Sequence, residues 1–272
     1  MNNFEATLMR RASTTYYYTA LFFPRSIRKK VMTLYAFVRT ADDFVDAMPQ
    51  QQDAFLTFEK EWYSFIKKGS STNPIIQNYG VMAKTSDFEG AWTTAFLSSM
   101  KQDLIIKKYP TLAQTEQYIY GSAEMIGLMM SRILGLPKNT EHAARMQGKA
   151  MQYINFLRDI PEDNALGRTY IPQEILKKHN LQDLSETTAR RSPAAFCTLI
   201  REEVRRYQKW QEEASKAYPS IPRRFRIPIT TAATIYAWTA NEIVKNPFIV
   251  YEKKVKPGIL QILYTILIQS LS

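Results

Sequence analysis

Seven stretches of this chain carry apolar side chains at three- and four-residue spacing for a dozen residues or more: Val31–Val45, Phe55–Ile66, Ala91–Ile106, Leu112–Leu134, Ala143–Ile160, Phe196–Tyr207 and Ile229–Val244. That period matches the turn of an α-helix and gathers each apolar set on one face. The two-residue alternation of strands is nearly absent. Glycine points the same way: there are 9 in 272 residues, about half the usual ~7%, which disfavours turn-rich sandwiches and glycine-punctuated nucleotide-binding sheets. Turn residues mark the breaks, at Gly69–Pro74, Lys84–Gly90, Pro137–Thr140, Asn164–Arg168, Arg190–Pro193, Tyr218–Pro228 and Asn246–Pro247. No linker or repeat divides the chain. The expectation is an all-α fold, a single domain over residues 1–272 with helices longer than average.

One cysteine, Cys197, excludes an internal disulfide framework and a cysteine zinc site. Two histidines, His142 and His179, lie in polar stretches and are expected at the surface. No Ser/His/Asp or Cys/His arrangement suggests a side-chain nucleophile. Charge is lopsided, with 36 Lys and Arg against 25 Asp and Glu, a net +11. Nucleic acid, an anionic membrane surface or a phosphorylated small molecule would each suit that balance. The cations fall in short groups, Arg25–Lys30, Arg190–Arg191, Arg205–Arg206, Arg223–Arg226 and Lys253–Lys256. No helix-turn-helix, zinc-finger or RNA-recognition signature organises them, so no nucleic-acid partner is expected. Met1–Arg11 has no apolar core of a secretory signal, and no stretch reaches the ~18 apolar residues of a spanning helix. The last apolar segment, Gly258–Leu271, is interrupted by Gln261 and Gln269 and is expected as a core helix. The alternative is a membrane-facing helix flanked by Lys253, Lys254 and Lys256. A cytoplasmic protein is expected, peripheral to a membrane under that alternative.

Acids interrupt two of the apolar stretches. In Tyr35–Asp46 (YAFVRTADDFVD), the side chains of Tyr35, Arg39, Asp42 and Asp46 share one helical face. In Gln152–Asp163 (QYINFLRDIPED), Asn155, Asp159 and Asp163 step by four, with Arg158 and Glu162 in the adjacent row. One acidic pair at that spacing is common on solvated faces. Two pairs, both among large apolar residues in a chain of net charge +11, call for cations between them, because like charges on a buried face are costly. Mg2+ takes hard oxygen ligands and is held by one or two carboxylates plus substrate phosphates. Facing stripes would bridge such ions to a diphosphate, with Arg39, Arg158 and Arg168 neutralising phosphate oxygens. Charge drawn from the departing diphosphate would favour a carbocation. Structural ion pairing is the other reading of the stripes. A di-iron bundle is set aside, because it wants Glu-x-x-His pairs and the chain has none.

A carbocation needs an apolar, aromatic surround. Tyr118–Met130 (YIYGSAEMIGLMM) carries the small residues Gly121, Ser122, Ala123 and Gly127 within a helical run. Ala123 and Gly127 leave a groove along one face, either for close helix packing or for a long prenyl chain. The aromatic residues Tyr16–Tyr18 and Phe22–Phe23 are expected in the core.

These residues resemble the squalene/phytoene synthase family of head-to-head prenyltransferases, nearly end to end. Leu34–Asp46 is similar to the family's first aspartate-rich motif, and Tyr120–Met130 to its central pocket helix. Asn155–Asp163 and then Gly167–Pro172 (GRTYIP) resemble the second aspartate-rich motif and the arginine-tyrosine-proline stretch after it. Ser13–Pro24 resembles the opening motif, with Thr14-Thr15 where lysine and serine are usual; Lys253-Lys254 stand where arginines are common. The resemblance implies an isoprenoid-synthase helical bundle around a central cavity. It implies Mg2+-dependent condensation of two identical prenyl diphosphates through a cyclopropylcarbinyl diphosphate, with Mn2+ as the alternative ion. Asp42, Asp43 and Asp46 would hold metal on one side, and Asn155, Asp159 and Asp163 on the other. Asp42, Asp46, Asp159, Asp163 and Tyr35 would serve catalysis. Arg39, Arg158, Arg168 and Tyr170 would contact diphosphate, and Tyr118, Ser122, Ala123 and Gly127 would line the prenyl pocket. The run from Gly121 to Met130 is most like phytoene synthases, which join two geranylgeranyl diphosphates without a reductant. Dehydrosqualene and squalene synthases use farnesyl diphosphate, the latter with NADPH. A non-catalytic assembly factor and a phosphatase on the same fold are the remaining alternatives. Pro161, between Asp159 and Asp163, removes a backbone donor and predicts a kink there. Oligomeric state is not legible.

Overall fold

Helix follows helix through residues 3–271, the part of the chain that this computed structural model describes, the side chains of Asn3 and Thr14 excepted. In order they are α1 (Asn3–Ala12), α2 (Thr14–Ala20), α3 (Arg25–Asp46), α4 (Gln52–Lys68), α5 (Pro74–Thr85), α6 (Gly90–Ile105), α7 (Leu112–Ile119), a π-helical turn (Tyr120–Glu124), α8 (Met125–Ile133) and α9 (Glu141–Arg158). Then come α10 (Ile160–Ala165), α11 (Gln173–Lys178), α12 (Glu186–Arg191), α13 (Pro193–Ser215), α14 (Arg223–Lys245), α15 (Ile249–Glu252) and α16 (Ile259–Leu271). No strand occurs among the described residues; Lys108 and Thr169 make an isolated bridge. The all-α expectation holds.

Local signals set the helix ends. Asn73 caps α5 by accepting from the backbone N–H groups of Ile75 and Ile76, and Pro74 supplies a first residue that needs no N–H partner. Thr111 and Gln114 close a capping box at α7. Gly69 ends α4 with φ at +78°, a conformation that costs glycine little.

Two helices organise the core. α3 buries Leu34, Phe37, Ala41 and Val45. Phe37 stacks on Tyr79 of α5 at 3.7 Å and meets Phe58 and Trp62 of α4 and Phe96 of α6. α9 buries Tyr153, Ile154, Phe156 and Leu157 and lies against α13, α8 and α14. Its approach to α8 and to the π-helical turn before it is unusually close. A Cβ at Gly127 would sit 2.1 Å from the Ala144 carbonyl oxygen, and one at Gly148 2.3 Å from that of Ala123. The small residues of the Ala123–Gly127 stripe therefore do serve helix packing.

The structure corrects four local expectations. Leu112–Leu134 is not one helix, because a π-helical turn at Tyr120–Glu124 interrupts it; its residues keep helical spacing, so periodicity cannot reveal the turn. The loop expected over Tyr218–Pro228 is shorter. α14 begins at Arg223 and contains Pro228, so proline and a run of arginines mimic a loop where a helix has started. His179 is not at the surface: its side chain is mostly buried and lies 3.2 Å from Glu202, whereas His142 is exposed as expected. Gly258–Leu271 is a helix but not a core helix. Only Ile262 and Ile266 of α16 are buried, against Ile235 and Tyr18, and the rest of its apolar face is exposed. Among the described residues no helix is long and apolar enough to cross a membrane.

Gly127→Ala and Gly148→Ala should each destabilise the fold by about 1–3 kcal/mol, since a backbone cannot yield as a flexible side chain does. Gly90→Ala, where an added Cβ meets nothing within 4 Å, should be neutral or mildly stabilising. Thermal unfolding of the three variants checks this; equal melting temperatures would contradict it.

Candidate active site

A cavity of about 830 Å3 runs between α2, α3, α6, the π-helical turn, α8, α9 and α14. Along α9 it touches Ala143, Ala144, Gln147, Gly148, Met151, Gln152, Asn155, Phe156 and Arg158. That stripe spans most of an 18-residue helix, so the cavity is elongated, roughly 20 Å at 1.5 Å per residue. The end near Ala143 is walled by apolar groups such as Ile126, Met130, Leu134 and Ile229. Charged residues collect at the other end, where α3 and α9 both terminate: Arg39, Asp42, Asp46, Arg158, Asp159, Asp163, Arg168, Lys254 and Lys256.

Each acid stripe is held by cations. Arg39 pairs with Asp42 at 3.0 Å and with Asp43. Arg158 forks onto Asp159 with bonds of 2.8 and 2.6 Å. Lys254 reaches Asp159 and Glu162, both at 2.5 Å. Arg168, 2% exposed, donates to Asp46 at 2.7 Å and to the Val45 carbonyl, with the Tyr170 hydroxyl at 3.3 Å. Behind it Asp103, also buried, accepts from the hydroxyls of Tyr118 and Tyr170 at 2.7 Å each.

The carboxyls divide by surroundings. Burial, then the charge of Asp46, pushes Asp42 up to about 7. Burial, then Asp159 and Asp46, pushes Asp163 up to about 8. Asp46 thus acts on acids of both stripes, which face one another across the cavity. Burial raises Asp103 to about 6. Burial alone would raise Asp159 too, but the bond from Arg158 and the charge of Lys254 hold it below the usual carboxylate range. Lys256 is shifted down by burial and by its neighbours Lys254 and Arg158, with Asp159 and Glu162 opposing the shift. These acids, with the buried and unpartnered Asn155 Oδ1, make a hard-oxygen donor set of the kind Mg2+ takes. No three His, Cys, Asp or Glu side chains converge on one metal position among the described residues. An ion here would be held by one or two carboxylates plus ligand oxygens.

Most expected site residues meet at the cavity: Tyr35, Arg39, Asp42, Asp46, Tyr118, Ser122, Ala123, Gly127, Asn155, Arg158, Asp159, Asp163, Arg168 and Tyr170 all line it. Asp43 does not. One residue on from Asp42, it is turned about 100° around the helix, and Arg39 holds it outside. The second stripe is not one continuous helix. α9 ends at Arg158 and α10 starts at Ile160. The Asp159 and Asp163 N–H groups still donate four residues back, at 2.8 and 2.9 Å, and Pro161 falls in the first turn of α10, where its missing donor costs little. The kink therefore leaves the step-by-four stacking intact.

Several site groups escaped the sequence reading. Asp103 was legible: it continues the buried stripe Phe96–Met100 of α6, where an acid is out of place. Tyr16, expected in core, lines the cavity instead and shares a 2.8 Å hydrogen bond with Tyr236. Phe22 is exposed rather than core. Lys254 and Lys256, grouped with a membrane-facing patch, line the charged end of the cavity.

A helical bundle whose acid- and arginine-rich cavity end opens into a long apolar interior is the architecture of a prenyl-transferring enzyme. The comparisons agree. The family described as squalene/phytoene synthase matches residues 9–261. A 15-cis-phytoene synthase of Enterobacter agglomerans is 27% identical over 236 residues, 82% of this chain and 79% of its own length. A phytoene synthase of Thermus thermophilus is 29% identical over 179 residues, 64% of this chain and 60% of its own. In fold, a dehydrosqualene synthase solved with a ligand superposes with a TM-score of 0.83 at 20% identity, covering 98% of this chain and 94% of that one. A squalene synthase from Alicyclobacillus acidocaldarius gives 0.78 at 23% identity, covering 90% and 94%. The chain belongs to the squalene/phytoene synthase family.

Arg168→Lys keeps the charge but loses the fork that reaches Asp46 and the Val45 carbonyl together. Turnover should fall by at least about tenfold while helical circular dichroism is retained. Unchanged turnover would show that the fork is dispensable.

Proposed function

We propose that the protein couples two geranylgeranyl diphosphates head to head, releases both diphosphates and forms phytoene, with Mg2+ as its metal and Mn2+ as the alternative. The observation that carries this reading is the division of one elongated cavity into a charged end, where two acid stripes face each other, and a long apolar interior. Relatives named phytoene synthase over most of the chain support the choice of substrate.

Asp42 and Asp46 would hold metal from α3, and Asn155, Asp159 and Asp163 from the opposite side. When bound, Mg2+ supplies positive charge that eases the departure of diphosphate. Arg39, Arg158, Arg168 and Lys254 would exchange their carboxylate partners for phosphate oxygens, and Lys256 would add its charge. In the first half-reaction the C1–O bond of one substrate breaks, and its electron pair leaves with diphosphate. The 2,3-double bond of the second substrate attacks the cation, and loss of a proton closes a cyclopropane. In the second half-reaction the remaining diphosphate leaves and the ring rearranges. Loss of a proton then forms the central double bond, so no reductant is consumed. Tyr118, Phe156 and Tyr170 turn aromatic groups toward the cavity, where ring faces stabilise positive charge and exclude water. A long-chain substrate and a hydrocarbon product suit a cytoplasmic enzyme working against a membrane.

The purified protein, given Mg2+ and labelled geranylgeranyl diphosphate without NADPH, should yield phytoene, identified by mass after extraction. Asp46→Ala and Asp159→Ala should each lower the yield by about a hundredfold or more with helical circular dichroism retained. Product from farnesyl diphosphate alone would move the substrate to the fifteen-carbon class. Free prenyl alcohol alone would indicate ionisation without coupling, and no turnover would favour an assembly factor.

A further inference from the structure

The end of the cavity away from the acids is not apolar throughout. Gln147 of α9 and Tyr218, in the short turn between α13 and α14, line it beside Ala143, Ala217 and Ile221. Gln211 of α13 stands behind them, outside the cavity lining. The three side chains close on one another. The amides of Gln147 and Gln211 bond reciprocally, at 2.9 and 3.2 Å. Gln211 also donates to the Tyr218 hydroxyl at 2.8 Å, and that hydroxyl donates to the side-chain carbonyl of Gln147. Burial pushes Tyr218 up to about 12, so the hydroxyl keeps the proton it donates. A neutral ring of this kind satisfies itself and asks nothing of a ligand. Opening it toward hydrocarbon is costly, because each freed donor or acceptor then faces carbon.

Little else closes the cavity at this point. Thr140, Ala143 and Ala217 line both the cavity and a notch in the outer surface, which His142, Glu213, Lys216 and Ser220 complete. The wall there is no thicker than those three residues, and two of them are alanines. Tyr218 follows Ala217 directly, so the ring holds the thin wall by its edge. Its place along α9 fits a stop. Gln147 lies eight residues before Asn155, about 12 Å along the axis. A helical side chain leans back toward the helix N-terminus, here toward Ala143. A prenyl chain whose diphosphate sits among the acids therefore meets the ring only near its tail.

We propose that Gln147, Gln211 and Tyr218 form a polar clasp that sets the floor of the prenyl cavity and limits the chain to twenty carbons. A chain longer by one isoprene unit has to push Gln147 or Tyr218 aside, and hydrocarbon cannot replace the bonds so lost. A floor of apolar side chains would yield by repacking; the closed ring makes the limit sharp. Gln211 acts through the other two and is a positioning residue. This role rests on the prenyl diphosphate reading above.

The test is calorimetric titration, with Mg2+ present, of non-reactive thio-analogues of farnesyl, geranylgeranyl and geranylfarnesyl diphosphate. The parent should bind the twenty-five-carbon analogue about tenfold or more weakly than the twenty-carbon one. Gln147→Ala together with Tyr218→Ala should bring those two affinities within about threefold and affect the fifteen-carbon analogue least. Gln211→Leu, outside the cavity lining, should move the same ratio in the same direction. Ala143→Leu, which adds bulk at this end, should move selectivity the other way, weakening the twenty-carbon analogue against the fifteen-carbon one. Equal affinity of the parent for the two longer analogues would overturn the proposal. So would variants that lose melting temperature and all three affinities together with the ratios unchanged, the mark of a structural role alone. If the double variant does not fold, Gln211→Leu and Ala143→Leu decide. The expected selectivity in a parent that forms no coupled product from geranylgeranyl diphosphate would overturn the condensation reading and leave the clasp standing.

Discussion

The site depends on Arg168. A guanidinium buried to 2% exposure has to find acceptors, and this one finds them on an element distant in sequence. It bonds Asp46 and the Val45 carbonyl at the end of α3, with Tyr170 beside it and Asp103 close enough to shift its proton affinity. Asp103 in turn accepts from Tyr118 and Tyr170. One cation thereby ties the end of α3 to α6, to α7 and to the segment after α10. Without it, the Val45 carbonyl at the end of α3 and the carboxylate of Asp46 would lose a common partner.

The same arrangement explains why acids can gather beside an apolar interior. Buried like charges are unfavourable, and Asp42 and Asp163 answer by holding protons more tightly than usual. Arg39, Arg158 and Lys254 cover the rest. These pairs serve function better than stability, since a buried ion pair is seldom a net stabiliser over a well-packed apolar contact. A diphosphate with its metal ions offers the same groups a richer set of opposite charges. The chain's positive balance, net +11, is in part expressed here, where Lys254 pairs with Asp159 and Glu162 of the second stripe and Lys256 lies beside them.

Much of this was legible in residue spacing. All seven apolar stretches are helical, and both acid stripes come together because an apolar helix can hide charges only where they face a shared cavity. What was not legible has common physical roots. The π-helical turn at Tyr120–Glu124 changes hydrogen bonding without changing spacing. The buried arginine network joins residues 122 positions apart in the chain, Asp46 and Arg168, and no local pattern encodes such a pairing. Lys254 and Lys256 lie outside any helix, so no periodicity says which way they point. α16 has the composition of a core helix, and only its place outside α14 and α2 leaves most of it uncovered.

The central claim is that the two stripes act as one site, joined through metal ions and diphosphate. The direct measurement is calorimetric titration of the protein with a non-reactive thio-analogue of geranylgeranyl diphosphate, with and without Mg2+, and the reciprocal titration of Mg2+. The account predicts that each ligand tightens the other by the same factor, about tenfold or more, as linkage requires of a shared site. Affinities that are independent of one another would show that the acids and the diphosphate-binding cations are separate features, and would contradict the account.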